Sequence, residues 1–290
     1  MSTKRLSGNE RRMTAVLRSG VLAGVWAAAL AAGAGDVYTN SASGNWSAAA
    51  SWNGAMPAAG GAADAAIVFN GAGDVASTNN LSGTFLLNRL EAAAGTVTLW
   101  GNTLSFVDSG AAGPQVEQTG SGSATFRNLL SLASDTVFNV ASGVLTVCPV
   151  SGAGALVKTG AGELLCATNG NGALSFTGAT RVEGGTLTVA TSSGRYYMSS
   201  PSLTVENGAT LRILFGTGVN ALNLPGSASV TVASGGTLLT DVPTISCGTF
   251  NAASGATVAG GNGCLSLHAV DAGGTAVSTL GSLSLTRIIL

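Results

Sequence analysis

Charge is scarce in this chain. Only 9% of its 290 residues are Asp, Glu, Lys or Arg, against 46% hydrophobic residues, a balance opposite to that of a disordered chain. Histidine occurs once, at His268, and no Cys-x-x-Cys is present. His268 has no ligand partner at useful spacing and no evident group to orient it as a base for a nucleophile, so neither a metal nor a cofactor is expected. Basic clusters are missing beyond the opening segment that ends at Arg18, where Lys4, Arg5, Arg11, Arg12 and Arg18 face a single acid, Glu10. Without that segment the chain keeps 7 of its 12 basic side chains and 12 of its 13 acidic ones, net −5, which argues against nucleic-acid binding. Aromatics make up 5%, and the few prolines are scattered along the chain.

A long apolar run is also missing. The uncharged stretch from Ser19 to Gly35 is at the short limit for a bilayer and is mostly Ala and Gly. With the basic region before it and Ala32-Gly33-Ala34 after it, residues 1–34 read as a secretory signal peptide. The expected mature product is exported, with no transmembrane domain.

What the chain does have is glycine, 43 of them, placed in a pattern. The stretch 152–189 reads Gly-x-Gly-x-Leu-x-Lys-x-Gly-x-Gly-x-Leu, an Asn/Gly loop, then Phe176-Thr-Gly-x-Thr-x-Val182-x-Gly-Gly-Thr-Leu187. Leu164 and Cys166, Leu174 and Phe176, and after a change of phase Leu187 and Val189 alternate as in strands with one buried face. A signal of Gly, one or two intervening positions and an aliphatic side chain recurs at Gly95, Gly143, Gly185, Gly208, Gly236 and Gly255. The intervals are longest from Gly95 to Gly143 and shortest between the last members, and each reads as one or two coils of a solenoid.

These positions resemble the autotransporter-associated β-strand repeat of bacterial secreted and surface proteins. The match rests on Gly152, Gly154, Leu156, Lys158, Gly160, Gly162, Leu164, Phe176, Thr177, Gly178, Thr180, Val182, Gly185, Thr186 and Leu187. It departs at Cys166, where a second Leu is usual, and in the loop 167–173. The frame Gly44-x-Trp46, Trp52-x-Gly54, Pro57, Asp64, Ile67-Val68-Phe69 resembles the opening segment of such proteins. The resemblance implies an all-β, right-handed parallel β-helix. We divide the chain into the signal peptide 1–34, an N-terminal Trp-containing cap at 35–70, and the β-helix at 71–290. It further implies an exported structural scaffold that displays loops, with adhesion to polysaccharide or cell-surface components as its extension.

Candidate binding residues are few. Trp46 and Trp52 form either a plug for the open first coil, the favoured reading, or a stacking platform for a sugar. Arg195, Tyr196 and Tyr197 fall in SSGRYYMSSPS, where the alternation breaks; a loop leaving the β-helix would make them a recognition patch. Lys158, near Glu163, is expected to be a solvated residue guarding a strand.

Cys148 is about one coil from Cys166, and Cys247 about one coil from Cys264, which makes two disulfides possible after export. Alternation opposes both pairings. Cys148 falls on the face opposite Leu145 and Val147, while Cys166 shares a face with Leu164, so buried unpaired thiols are the alternative. Catalysis on this scaffold, as in a polysaccharide lyase or hydrolase, needs carboxylates grouped at one sugar. The acidic residues are scattered singly with no aligned set at coil intervals, and Gly60-Gly61-Ala-Ala-Asp64 is an unrepeated hint of a calcium loop, so no catalytic or metal residue is assigned. No membrane barrel is expected after the last strand pattern.

Overall fold

The computed structural model describes residues 35–93, 95–147, 149–168, 174–191, 196–215, 221–241, 244–260, 266–269 and 283–284. The signal segment, Cys148, Arg195 and Cys264 lie outside them. Among the described residues, apart from one turn of 3₁₀ helix at Ala49–Ser51, the regular structure is all strand. Every pairing between named strands is parallel, the pattern of a β-solenoid.

Each rung visits three walls in turn. The first wall is a ten-stranded sheet from Val37–Asn40 to Thr249–Ala252, and the second an eleven-stranded sheet from Gly44–Asn45 to Leu283–Ser284. The third consists of two four-stranded sheets, Phe85–Leu87 to Val150–Gly152 and Tyr196–Tyr197 to Ser266–Ala269. Single bridges from Leu174 to Val150 and to Met198 join these two into one wall. The chain between register partners is one rung, and its length varies: the step from Val137 to Val157 is shorter than that from Arg181 to Thr204.

Alternation in each strand sends one set of side chains inward, where like stacks on like. In the second wall Leu145, Leu164, Leu187, Leu211 and Leu238 are successive register partners, all buried. In the third wall Phe85, Leu104, Leu130 and Val150 do the same. A buried Leu, Val or Phe contributes about 1.5–3 kcal/mol, and no single rung could bury its own face.

The stretch 152–189 accounts for between one and two rungs. Gly152 ends a third-wall strand, Leu156 and Lys158 point inward from the first wall, and Leu164 and Cys166 point inward from the second. Leu174 and Phe176 return to the third wall, and Gly178 turns the corner under Gly154. The phase change before Leu187 falls at the corner Gly184-Gly185, where the step from inward Val182 to inward Leu187 is odd and not even.

That corner, between the first and second walls, carries glycine in rung after rung. A Cβ on Gly95 would overlap the Gly73 carbonyl, one on Gly122 the Gly95 carbonyl, and one on Gly185 the carbonyls of Gly160 and Gly162. Gly95 and Gly185 also have φ of 67° and 60°, which a side chain disfavours. The sequence intervals from Gly95 to Gly143 and from Gly143 to Gly185 are two rungs each, with Gly122 and Gly162 at the intermediate corners.

At the first rung, the free edge of Val37–Asn40 is covered by the chain itself. Residues 51–53 run antiparallel along it, with Asn53 N donating to Thr39 O at 2.8 Å and Ser41 N to Ser51 O at 3.2 Å. Trp46 and Trp52 follow from this turn and lie inside the end of the core.

Backbone contact at the corner makes Gly122 the sensitive position. Gly122→Ala should lower unfolding free energy by about 1–3 kcal/mol, since the overlapped atom is backbone and cannot rotate away. Gly113→Ala, where no atom lies within 4 Å of an added Cβ, should change it by less than about 0.5 kcal/mol in the same urea titration.

Candidate functional site

Three groups of residues invite a functional reading, and burial separates them. The first is the Trp pair. Trp46 is fully buried and Trp52 is 6% exposed; their rings meet edge to face at 5.6 Å, and Trp46 meets Phe85 in the same way at 5.1 Å. Trp46 Nε1 donates to Ser77 Oγ at 2.9 Å and Trp52 Nε1 to the Trp46 carbonyl at 2.8 Å. With both indole donors satisfied inside the core, neither ring offers a face for a sugar to stack on.

The second group is not visible as a group in the sequence. Glu91 and Glu117, one rung apart, are register partners on the outer side of the first wall, with Asn139 next in line. Arg89 pairs with Glu117 and lies 3.5 Å from Glu91. Thr119 Oγ1 donates to Glu91 Oε1 at 2.9 Å, and Asn139 Nδ2 to Glu117 Oε1 at 3.4 Å. Burial raises the Glu117 carboxyl above its ordinary range; Arg89 opposes that shift and Glu91 adds to it. The expectation that no acidic residues align at coil intervals is therefore corrected. The signal is present in the strand patterns Arg-Leu-Glu-Ala at 89–92 and Gln-Val-Glu-Gln at 115–118, each with Glu after an inward aliphatic residue.

Paired carboxylates are the raw material of acid–base chemistry. Here, however, Glu117 is only 2% exposed and Glu91 is also buried. A sugar cannot reach them as they stand. The cluster satisfies its own charges instead, in the manner of a buried ion pair supported by hydrogen bonds.

Lys158 requires a second correction, because it is fully buried rather than solvated. Its register partners are Phe138 and Val182, both inward and buried, so its stem occupies a place in an apolar column. The ammonium donates to the carbonyls of Thr159 at 2.6 Å, Gly160 at 2.9 Å and Gly184 at 3.0 Å. One cation thus ties the glycine corner of its own rung to that of the next. Alternation alone marks this position as inward, and the Gly-containing corners supply the carbonyls.

The third group is the tyrosine segment. Tyr196 and Tyr197 form a short strand paired with Ala221–Asn223, not a loop leaving the body of the solenoid. Tyr197 is 52% exposed on the outer side of the third wall.

Of the cysteines, Cys166 is buried opposite Val147, the residue before Cys148. Cys247 is buried with Sγ donating to Thr249 O at 3.4 Å, and burial pushes its thiol up to about 11. The expected partners Cys148 and Cys264 lie outside the described residues. His268 belongs to a strand in register with Ser246. Among the described residues no three His, Cys, Asp or Glu gather as metal ligands, and no helix is long and apolar enough to cross a membrane.

Trp100 carries no sequence motif to single it out. It lies at the outer side of the second wall, 39% exposed, beside the exposed Arg127 of the next rung. Comparison with protein-family models, with curated proteins and with solved structures finds no match for the chain.

Burial pulls the Lys158 ammonium down to about 8 from its ordinary 10.5. Its folded value is the lower one, so between those two pH values the unfolded chain binds more protons and stability rises with pH. Wild type should therefore gain on Lys158→Met by up to about 1.4 kcal/mol per pH unit across that window, measured by urea unfolding. A constant difference between the two proteins would contradict the assignment.

Proposed function

We propose that this chain is an exported structural scaffold of the autotransporter-associated repeat group, a right-handed β-helix displayed at a bacterial surface. The observation that carries the reading is the fit of the repeat pattern to the rungs. Its glycines occupy corners where rungs touch, its Leu, Phe and Val positions point inward, and its Lys clamps two corners. A sequence that spends its pattern on stacking builds a rigid support, and the outer faces are left for contact with something else.

Adhesion to a polysaccharide or to another cell is the activity that suits such a support. A carbohydrate-active enzyme is the competing reading, and the aligned pair Glu91 and Glu117 is the observation that favours it. Their burial weighs against it, because a general acid must come within hydrogen-bond reach of the bond it cleaves. The basic leader, the small residues after it and the low charge of the remainder support export.

Fractionation of the producing bacterium with intact-mass measurement should recover the chain in the medium or outer envelope, beginning near Gly35. Recovery from the inner membrane with residues 1–34 attached would overturn the exported-scaffold reading. Incubation with pectin, alginate and neutral polysaccharides should release no reducing or unsaturated ends. Release of either from any of them would transfer the assignment to the enzyme.

A further inference from the structure

Over their early rungs the two long walls differ in charge on their outer faces, and the second wall gains an outward carboxylate, Glu163, only one rung further on. The first carries Glu91, Glu117, Glu183 and Glu206, with Arg89 and Arg181 both engaged in ion pairs. The second wall, over the four strands Val75–Asn79, Val97–Gly101, Ala124–Phe126 and Val144–Val147, contains no acidic residue. On this acid-free area stand Trp100 and, in the next rung, Arg127. Thr98 and Thr125 are register partners, and continuing that register beyond Phe126 and Leu99 sets Arg127 beside Trp100. Arg127 N donates to Leu99 O at 2.8 Å, which fixes the backbone there. Rungs are about 4.8 Å apart, so the backbones of Arg127 and Trp100 are neighbours on this wall. Both are exposed, and Arg127 forms no ion pair among the described residues. Thr98, Thr125 and Thr146 continue as a row of half-buried hydroxyls, one per rung.

We infer that this face, centred on Trp100 and Arg127, binds an acidic glycan built of hexuronate residues. An indole face takes the apolar side of a pyranose ring, and a guanidinium takes a carboxylate in two parallel hydrogen bonds. The threonine hydroxyls are placed to meet ring hydroxyls along the same wall. Charge complementarity selects the acidic polymer over a neutral one: the patch holds an unpaired cation, and the nearby carboxylates Glu91 and Glu117 belong to the other wall and are buried. The strands here are paired on both edges, so the geometry is already set before a ligand arrives. This inference rests on the reading of the chain as an exported surface protein and names the chemistry of its partner.

The test uses the purified chain with oligogalacturonate, a neutral oligomer of equal length and a thymidine oligonucleotide as probes, followed by calorimetry and tryptophan fluorescence. Oligogalacturonate should bind and alter the emission of the exposed Trp100. Trp100→Ala and Arg127→Gln should each weaken it at least tenfold without shifting the melting temperature, while Tyr197→Ala should leave it unchanged. Added salt should weaken what remains in Trp100→Ala more than in Arg127→Gln. Equal binding of the neutral oligomer, tighter binding of the oligonucleotide, or unchanged affinity in both variants would overturn the site. Loss only in Tyr197→Ala would also overturn it and leave surface adhesion standing, and a chain recovered outside the cell that binds no oligogalacturonate would overturn the site alone.

Discussion

Where the first wall turns into the second, the backbone of each rung lies against the backbone of the rung before it. Parallel ladders on both walls demand a spacing of about 4.8 Å, and the chain must hold that spacing through the turn as well. Gly73, Gly95, Gly122, Gly143, Gly162 and Gly185 pass over one another there, and an added Cβ would press on backbone at most of these steps. The inward aliphatic columns follow from this. Once corners are stacked, alternation brings Leu145 over Leu164 and Leu164 over Leu187, and apolar burial accumulates with each added rung. Widening one corner would part the ladders on both walls that meet there.

Several polar groups enter this core where a turn or a neighbouring side chain supplies partners. Lys158 replaces an apolar residue between Phe138 and Val182 because three carbonyls of two glycine corners converge on its ammonium. Thr180 donates to Ser200, which donates to the Gly178 carbonyl at another corner. At the first rung Asn40, Ser77 and the indole of Trp46 form a buried chain of hydrogen bonds beneath the covered edge. Each of these serves groups that no ladder satisfies, which is the main demand a solenoid makes outside its strands.

Much of the fold can be read from residue order, because a stacked rung repeats one local rule. Leu164, Cys166, Leu187 and Val189 show their inward facing by period two alone, and the phase change at Gly184-Gly185 shows a corner. Rung length is harder to read, since Gly122 is followed by Ser123 and Ala124 rather than a larger aliphatic residue, and Gly162-Glu-Leu164, which does carry the signal, sits inside the longer repeat pattern. Lys158 misleads because its charge outweighs its register on a first reading. Glu91 and Glu117 escape notice because contact between rungs joins residues far apart in sequence, and rungs of unequal length conceal that distance. Trp100 has no pattern of its own; only the strands around it, free of acids and leading to Arg127 in the next rung, give it meaning.

The stacked core requires neighbouring rungs to keep this register. Ser131 and Ser151 are partners on the outer side of the third wall, while Ser175 lies one rung further on. Paired Ser131→Cys and Ser151→Cys substitutions, oxidised mildly and mapped by peptide mass, measure that register directly, because a disulfide spans one rung and not two. Rapid cross-linking of this pair is expected, and none for Ser131→Cys with Ser175→Cys. Cross-linking of the second pair in preference to the first would contradict this register.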